Sequence, residues 1–183
     1  SKSAGSQTAL FSDLGIAGAN NMAANEIYKL KSTTLMETVV NQLGLNIRYY
    51  GHVFLRDVNC YKTSPLQITP LQDVEKPFEM TVVPKGGNDL EFQINDGEWK
   101  RAHFGNKVNT EFGPIAITKT QHYTEQYKDY KVIARVSTVD GVAKALEANL
   151  NAEAADKFSD VVNLSFACDN EQMSIDVLNA LVA

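Results

Sequence analysis

Residues 35–58, LMETVVNQLGLNIRYYGHVFLRDV, decide the fold class because the hydrophobic pattern changes its period within them. Before Gly44, apolar residues recur at the spacing of one helix face. That face would bury Leu35, Val39, Val40 and Leu43. Gly44 suits the left-handed end of a helix, and short runs rich in Ile, Tyr, Val and Phe follow it. The stretch therefore predicts a helix that leads directly into a β region.

Capping residues mark the start of four predicted helices. Asn20 and Asn21 can cap the first helix, and residues 34–37 fit a capping box for the second. Residues 137–140 fit another capping box, and Asp169 is predicted to cap the last helix. The apolar faces expected in the first, third and last helices are Met22, Ile27 and Leu30; Val142, Ala145, Leu146 and Leu150; and Ile175, Leu178 and Leu181.

The β region extends from residue 47 to residue 133 and contains short runs separated by Gly, Pro, Asn and Asp. The candidate strands are 53–58, 66–69, 78–83, 90–94, 98–104, 115–118 and 131–136, with a further half-buried strand at 159–166. Between two of them, Asp96-Gly97 predicts a hairpin with a type I′ turn. The order predicts an α+β fold: a mainly antiparallel sheet with flanking helices and a β-rich insertion at residues 64–130. The pattern leaves open whether the insertion is a sub-barrel or an elaboration of one sheet.

Composition restricts the function classes. The chain has 183 residues, a formal net charge of −5, 44% hydrophobic residues and 21% charged residues, which is typical of a folded domain. The absence of a basic run argues against nucleic acid as a partner. No apolar stretch approaches the roughly 20 residues that cross a bilayer. Residues 1–6 have no signal-peptide pattern, and residues 178–183 end inside a helical pattern, so we expect a piece of a longer chain.

Residue patterns for catalysis are weak. His52, His103 and His122 lack metal-site spacing from one another and from the cysteines, and we interpret them as surface or strand-end residues. No serine lies in a nucleophile-elbow motif, and residues 15–20 lack the lysine of a phosphate-binding loop. We therefore predict no catalytic, cofactor-binding or metal-ligating residues, no cofactor, and no enzymatic activity for this chain.

Three pairs of carboxylates have both a structural and a functional interpretation. The carboxylate pairs are Asp73 with Glu75, Asp89 with Glu91, and Asp96 with Glu98. Solvated turns explain them better than a glycosidase site, which needs two carboxyl groups facing each other across a sugar.

Cys60 and Cys168 are predicted to be two isolated thiols rather than a disulfide.

Aromatic residues offer the clearest hypothesis of ligand binding. They form two groups: Tyr49, Tyr50, Phe54 and Tyr61, and then Tyr123, Tyr127 and Tyr130. Packing into the core with the hydroxyl group hydrogen-bonded at its edge is the favoured interpretation. The alternative is that some of these rings stack on carbohydrate.

A resemblance to a known family spans nearly the whole chain. Residues 25–32 (NEIYKLKS) and 35–45 (LMETVVNQLGL) resemble a conserved run of Wzz-type polysaccharide chain-length determinants, in particular the periplasmic regions of Wzc-like tyrosine autokinases. Residues 149–151, 161–166, 169–172 and 177–181 resemble that family's later two strands and its following helix. In the central part, residues 97–113 resemble the family's short strands around two Phe-Gly motifs, here Phe104-Gly105 and Phe112-Gly113-Pro114-Ile115. The departures are Ser174 in place of Ala and Gln172-Met173 in place of Pro-Glu.

The resemblance implies a non-catalytic scaffold at the periplasmic face of the bacterial inner membrane, which controls the length and export of a capsular or O-antigen polysaccharide by oligomerisation. Its implied partners are further copies of itself and the polymerase or export machinery, with glycan as a further ligand. It would contact the membrane only through flanking helices outside this sequence. In Wzc-like relatives a cytoplasmic tyrosine kinase domain follows. The alternative is a carbohydrate-binding module that holds the growing glycan.

Overall fold

The computed structural model describes residues 22–53, 55–156 and 160–183. Within them the helices are α1 (22–30), α2 (Thr33–Leu43), α3 (Val139–Asn149) and α4 (Glu171–Val182). The strands are β1 (Ile47–Val53), β2 (Arg56–Asn59), β3 (Leu66–Pro70), β4 (Phe78–Gly86), β5 (Asp89–Ile94), β6 (Lys100–His103), β7 (Lys107–Thr110), β8 (Gly113–Lys119), β9 (Val132–Val136), β10 (Leu150–Ala154) and β11 (Val162–Phe166). The predicted α+β class with mainly antiparallel sheet is confirmed.

The strands form three antiparallel sheets. The largest has the order β2-β1-β9-β4-β5-β6, the second has the order β3-β8-β7, and β10 pairs with β11 alone. Segment 64–130 contributes to both of the larger sheets. Its strands β4 to β6 continue the sheet of β1 and β9, because β4 pairs with β9 along residues 78–82.

Two hydrophobic cores result from this arrangement. The β core lies between the two larger sheets and centres on Met80, Leu90, Ile115, Ile117 and Val132, each at most 2% exposed. The alternation of buried and exposed residues along β3 and β9 directs one face of each strand into this core.

The helical core packs α2, α3 and α4 against the hairpin of β10 and β11. Its most buried side chains are Met36, Val39, Val40, Leu146 and Met173, each at most 1% exposed. The left-handed conformation predicted for Gly44 is confirmed at φ 64°, and its amide bonds the carbonyl of Val40. This turn directs the chain from the helical core into β1.

The predicted helix caps are wrong by one or two residues. The side chain that accepts from the first turn belongs to Ser32 in α2, Thr138 in α3 and Asn170 in α4. Asp169 instead accepts a hydrogen bond from Asn59 at 2.7 Å. The face predicted for α2 packs in the helical core, whereas Ala145 of α3 is exposed and Ile175 of α4 is 44% exposed. The caps predicted at residues 20 and 21 lie outside the described residues.

The predicted strand 53–58 is wrong, because β1 and β2 form a hairpin that turns within it. Leu55 adopts a left-handed φ of 69° at this turn without being glycine. The hairpin predicted between β5 and β6 is confirmed, but its connection is longer than two residues, and Asn95 rather than Asp96 or Gly97 has a positive φ, 50°. Strands β1, β7 and β10 are not among the candidate strands predicted from the hydrophobic pattern, and Leu150, predicted on the face of the third helix, begins β10.

Candidate functional site

The three histidines lie in different elements: His52 in β1, His103 in β6 and His122 in the segment after β8. His52 is exposed and bonds Asp57 across the β1–β2 hairpin, with 3.1 Å between Nδ1 and Oδ1. His103 is exposed and pairs with Asp89 at 2.8 Å between the same atom types. His122 is half-buried, beside Gln121. The carboxylate of Glu91 contacts Lys85 at 3.9 Å and Arg101 at 3.5 Å.

Among residues 22–53, 55–156 and 160–183, no group of three or more His, Cys, Asp or Glu side chains is arranged to hold a metal ion. In the same ranges, no helix combines the length and the apolar character needed to cross a membrane.

Two side chains of the first aromatic group, Tyr49 and Tyr50, pack inside the protein. The Tyr49 hydroxyl accepts a hydrogen bond from the Ile68 amide at 2.8 Å and points to the Ile68 carbonyl at 3.4 Å. Burial raises the pKa of Tyr49 to about 12. Tyr50 is 6% exposed, and Arg135 lies 4.4 Å from the centre of its ring. Both rings match the favoured packing interpretation, whereas Phe54 lies outside the described residues.

The second aromatic group forms a continuous row. The ring centres of Tyr123 and Tyr127 are 6.1 Å apart, and those of Tyr127 and Tyr130 are 5.6 Å apart. Lys119 places its ammonium 4.0 Å from the centre of the Tyr123 ring. The Tyr123 hydroxyl is buried without a hydrogen-bond partner among the described residues, unlike the edge position expected for such a hydroxyl.

An aromatic groove of about 310 Å³ adjoins this row. We define it by Tyr127, Tyr130, His122, Thr63 and Cys60, which line it. Both tyrosines are half-buried, so part of each ring faces the groove. Rings with an apolar face and hydroxyl groups nearby are suited to a ligand that is amphipathic in the same way.

Both cysteines are free and half-buried. Burial raises the pKa of the Cys60 thiol, so the reactive thiolate is scarce at neutral pH. The Cys168 thiol lies 2.9 Å from the Asn170 carbonyl oxygen and 3.1 Å from the Ser174 hydroxyl oxygen.

A second cavity, of about 430 Å³, lies at the junction of the two cores, where Leu43, Tyr49, Lys62 and Met173 contribute to its lining. A polar cluster beside it fixes α4 to the segment after β2. Asp176 accepts from the Tyr61 hydroxyl at 2.9 Å, from Lys62 at 2.6 Å and from Gln172 at 2.8 Å. These donors hold the pKa of Asp176 below its usual range, with Lys62 the largest contributor. Burial and Asp176 together raise the pKa of Tyr61.

Comparison with known proteins adds no identification: no family model matches the chain, and no curated protein matches it.

Proposed function

We propose that this chain is a non-catalytic scaffold domain at the periplasmic face of the bacterial inner membrane, where it oligomerises and controls the chain length and export of a capsular or O-antigen polysaccharide. The resemblance of residues 25–45 and 149–181 to chain-length determinants supports this proposal. Those residues belong to α1, α2 and the end of the chain that forms β10, β11 and α4. The proposal places this domain between membrane helices of a longer protein.

Exposed apolar side chains on the helices carry the proposal. On α1, Met22 is 62% exposed and Tyr28 is 80% exposed. On α4, Ile175 is 44% exposed and Val182 is 66% exposed. A contiguous exposed apolar patch marks a surface that another protein covers, and we propose that these side chains of α1 and α4 contribute to such a patch. A second copy of the same chain is the partner in the proposed assembly.

The test compares masses of the longer membrane protein in detergent by light scattering. We expect an oligomer, and a lower mass for the double variant Tyr28→Ser with Ile175→Ser. The control is Leu71→Ser with Trp99→Ser, which changes two exposed apolar side chains, 50% and 45% exposed, outside the helices. The helical variant should also alter the length distribution of the polysaccharide in cells. A parent that stays monomeric at all concentrations would exclude assembly as the mechanism.

A carbohydrate-binding module is the second candidate, and the aromatic groove is the observation that favours it. Titration of neutral oligosaccharides, followed by amide NMR shifts, should give saturable changes around Tyr127 and Tyr130. The variant Tyr127→Ala should abolish them, whereas Tyr28→Ala, which removes an exposed ring elsewhere, should not. Unsaturable or absent shifts would eliminate this candidate.

A further inference from the structure

Two arginines lie directly opposite each other on neighbouring strands. Arg48 of β1 is the register partner of Arg135 of β9. Directly opposed residues of an antiparallel pair project from the same face, with Cβ atoms about 5 Å apart. Two like charges in these positions destabilise the pair unless negative charge lies between or beside them.

The two arginines differ in their counter-ions. Arg135 contacts Glu79 at 3.0 Å and Asp57 at 3.4 Å. Arg48 is half-buried, and within the described part of the chain its side chain has no ion pair and no hydrogen bond. None of the guanidinium nitrogens of Arg48 is among the buried atoms without a hydrogen-bond partner in the described residues, so its N–H donors remain accessible to a ligand from solvent.

Both arginines line one cavity of about 450 Å³. No Asp or Glu of the described residues belongs to its lining, whereas the hydroxyl-bearing Ser137 and Thr138 do. Leu45 and Val142, 2% and 8% exposed, supply an apolar wall, and a low-dielectric wall strengthens attraction to a nearby charge. The nearest acid on α3, Asp140, is paired with Lys144 at 2.8 Å.

We propose that this cavity, defined by Arg48, Arg135, Ser137 and Thr138, binds an oxyanion, either a carboxylate or a phosphate group. A guanidinium fork recognises either group through two parallel hydrogen bonds. Arg48 supplies the free guanidinium group, and the two hydroxyl groups can donate to the remaining oxygens. Arg135, whose charge is offset by Glu79 and Asp57, forms part of the wall. The site is independent of the proposed scaffold function, since it requires neither an oligomer nor a membrane.

The test uses the 183-residue protein and four probes: inorganic phosphate, glucuronate, glucose, and sodium chloride at matched ionic strength. Amide NMR shifts at Ser137, Gly141 and Arg48 report occupancy. We expect a saturable shift with phosphate, with glucuronate, or with both, and none with glucose. Phosphate alone would indicate a phosphorylated ligand, and glucuronate alone would indicate an acidic sugar. If neither anion gives shifts beyond those of chloride, the proposal fails.

Variants separate binding from folding. Arg48→Gln should lower the affinity for the anion at least tenfold. Arg101→Gln, which removes a 91% exposed arginine, should leave that affinity unchanged. Because the Arg48 side chain makes no ion pair or hydrogen bond within the described residues, the melting temperature of Arg48→Gln without anion should not fall below that of the parent. Arg48→Lys keeps the charge but cannot make the two parallel hydrogen bonds of a guanidinium group. We therefore expect an affinity between those of the parent and of Arg48→Gln. Anion affinity equal to the parent in both Arg48 variants would overturn the proposal.

Discussion

Asp176 should contribute measurably to stability because a single carboxylate accepts hydrogen bonds from three side chains. Its side chain is only 14% exposed, and its partners come from both the 3₁₀ turn after β2 and α4 itself. Asp176→Asn removes the charge that Lys62 pairs with but keeps one amide oxygen as an acceptor. Hydrogen bonds to charged groups contribute about 1.5–3 kcal/mol each, and partial retention reduces the loss to about 1–2 kcal/mol.

Urea unfolding followed by far-ultraviolet circular dichroism would measure this loss in the free energy of unfolding. The matched control is Asp140→Asn on α3, where the ion pair with Lys144 is exposed on both sides. We expect the control to lose much less stability than Asp176→Asn, because exposed ion pairs contribute little. Equal losses for the two variants would refute the assignment of Asp176 as the residue that fixes α4 to the β layer.

The pH dependence of Asp176 provides an independent check. The pKa of Asp176 is lower in the folded protein than in the unfolded chain, so the unfolded chain takes up its proton first as the pH falls. Its contribution is therefore complete above about pH 4 and is lost as the pH falls through the folded pKa. The parent should lose stability over this window more steeply than Asp176→Asn. Parallel curves would mean that Asp176 is not held by these donors.

Three further changes test the helical core and the groove. Leu43→Asp should lower the free energy of unfolding by about 2–3 kcal/mol in urea, because it places a charge at the edge of the helical core, whereas the exposed Asn41→Asp should have little effect. Gly44→Ala should cost about 1 kcal/mol in the same assay, because φ is 64° there; no loss would contradict the left-handed end. Cys60 should react with a thiol reagent more slowly than an unfolded control at pH 7, and equal rates would contradict its burial.

The sequence predicted helices and strands well where the pattern is long and periodic, and less well at their ends. The ends of α2, α3 and α4 depend on which of two neighbouring polar side chains reaches the first free amides. Thr33 and Thr34 follow Ser32, so three adjacent residues satisfy the capping preference equally. The face predicted for α2 packs into the helical core although its cap was displaced by two residues, because the spacing of the apolar residues, not the position of the cap, determines which residues share a face.

The hairpin of β1 and β2 was missed because its turn lacks a glycine signal. Leu55 occupies the left-handed position, and the Val and Phe residues around it have the composition of a single strand. Gly51 does not form a turn; it is the point where the backbone of β1 lies close to the side chains of Tyr130 and Cys60. A Cβ atom there would lie 3.2 Å from the Tyr130 hydroxyl and 3.4 Å from the Cys60 sulfur. This approach brings three residues distant in sequence to the aromatic groove, and only the tertiary structure shows it.

The oxyanion cavity shows why composition and local patterns cannot reveal such a site. Arg48 and Arg135 are each unremarkable in the sequence, since isolated arginines are normally solvated. They become neighbours only because β9 inserts between β1 and β4, with Arg135 opposite Arg48 on one side and opposite Glu79 on the other. A shift of one residue in the pairing of β1 with β9 would send Arg48 and Arg135 to opposite faces. The site therefore depends on the register between β1 and β9, which is set by the burial of Ile47, Tyr49 and Val136 in the β core.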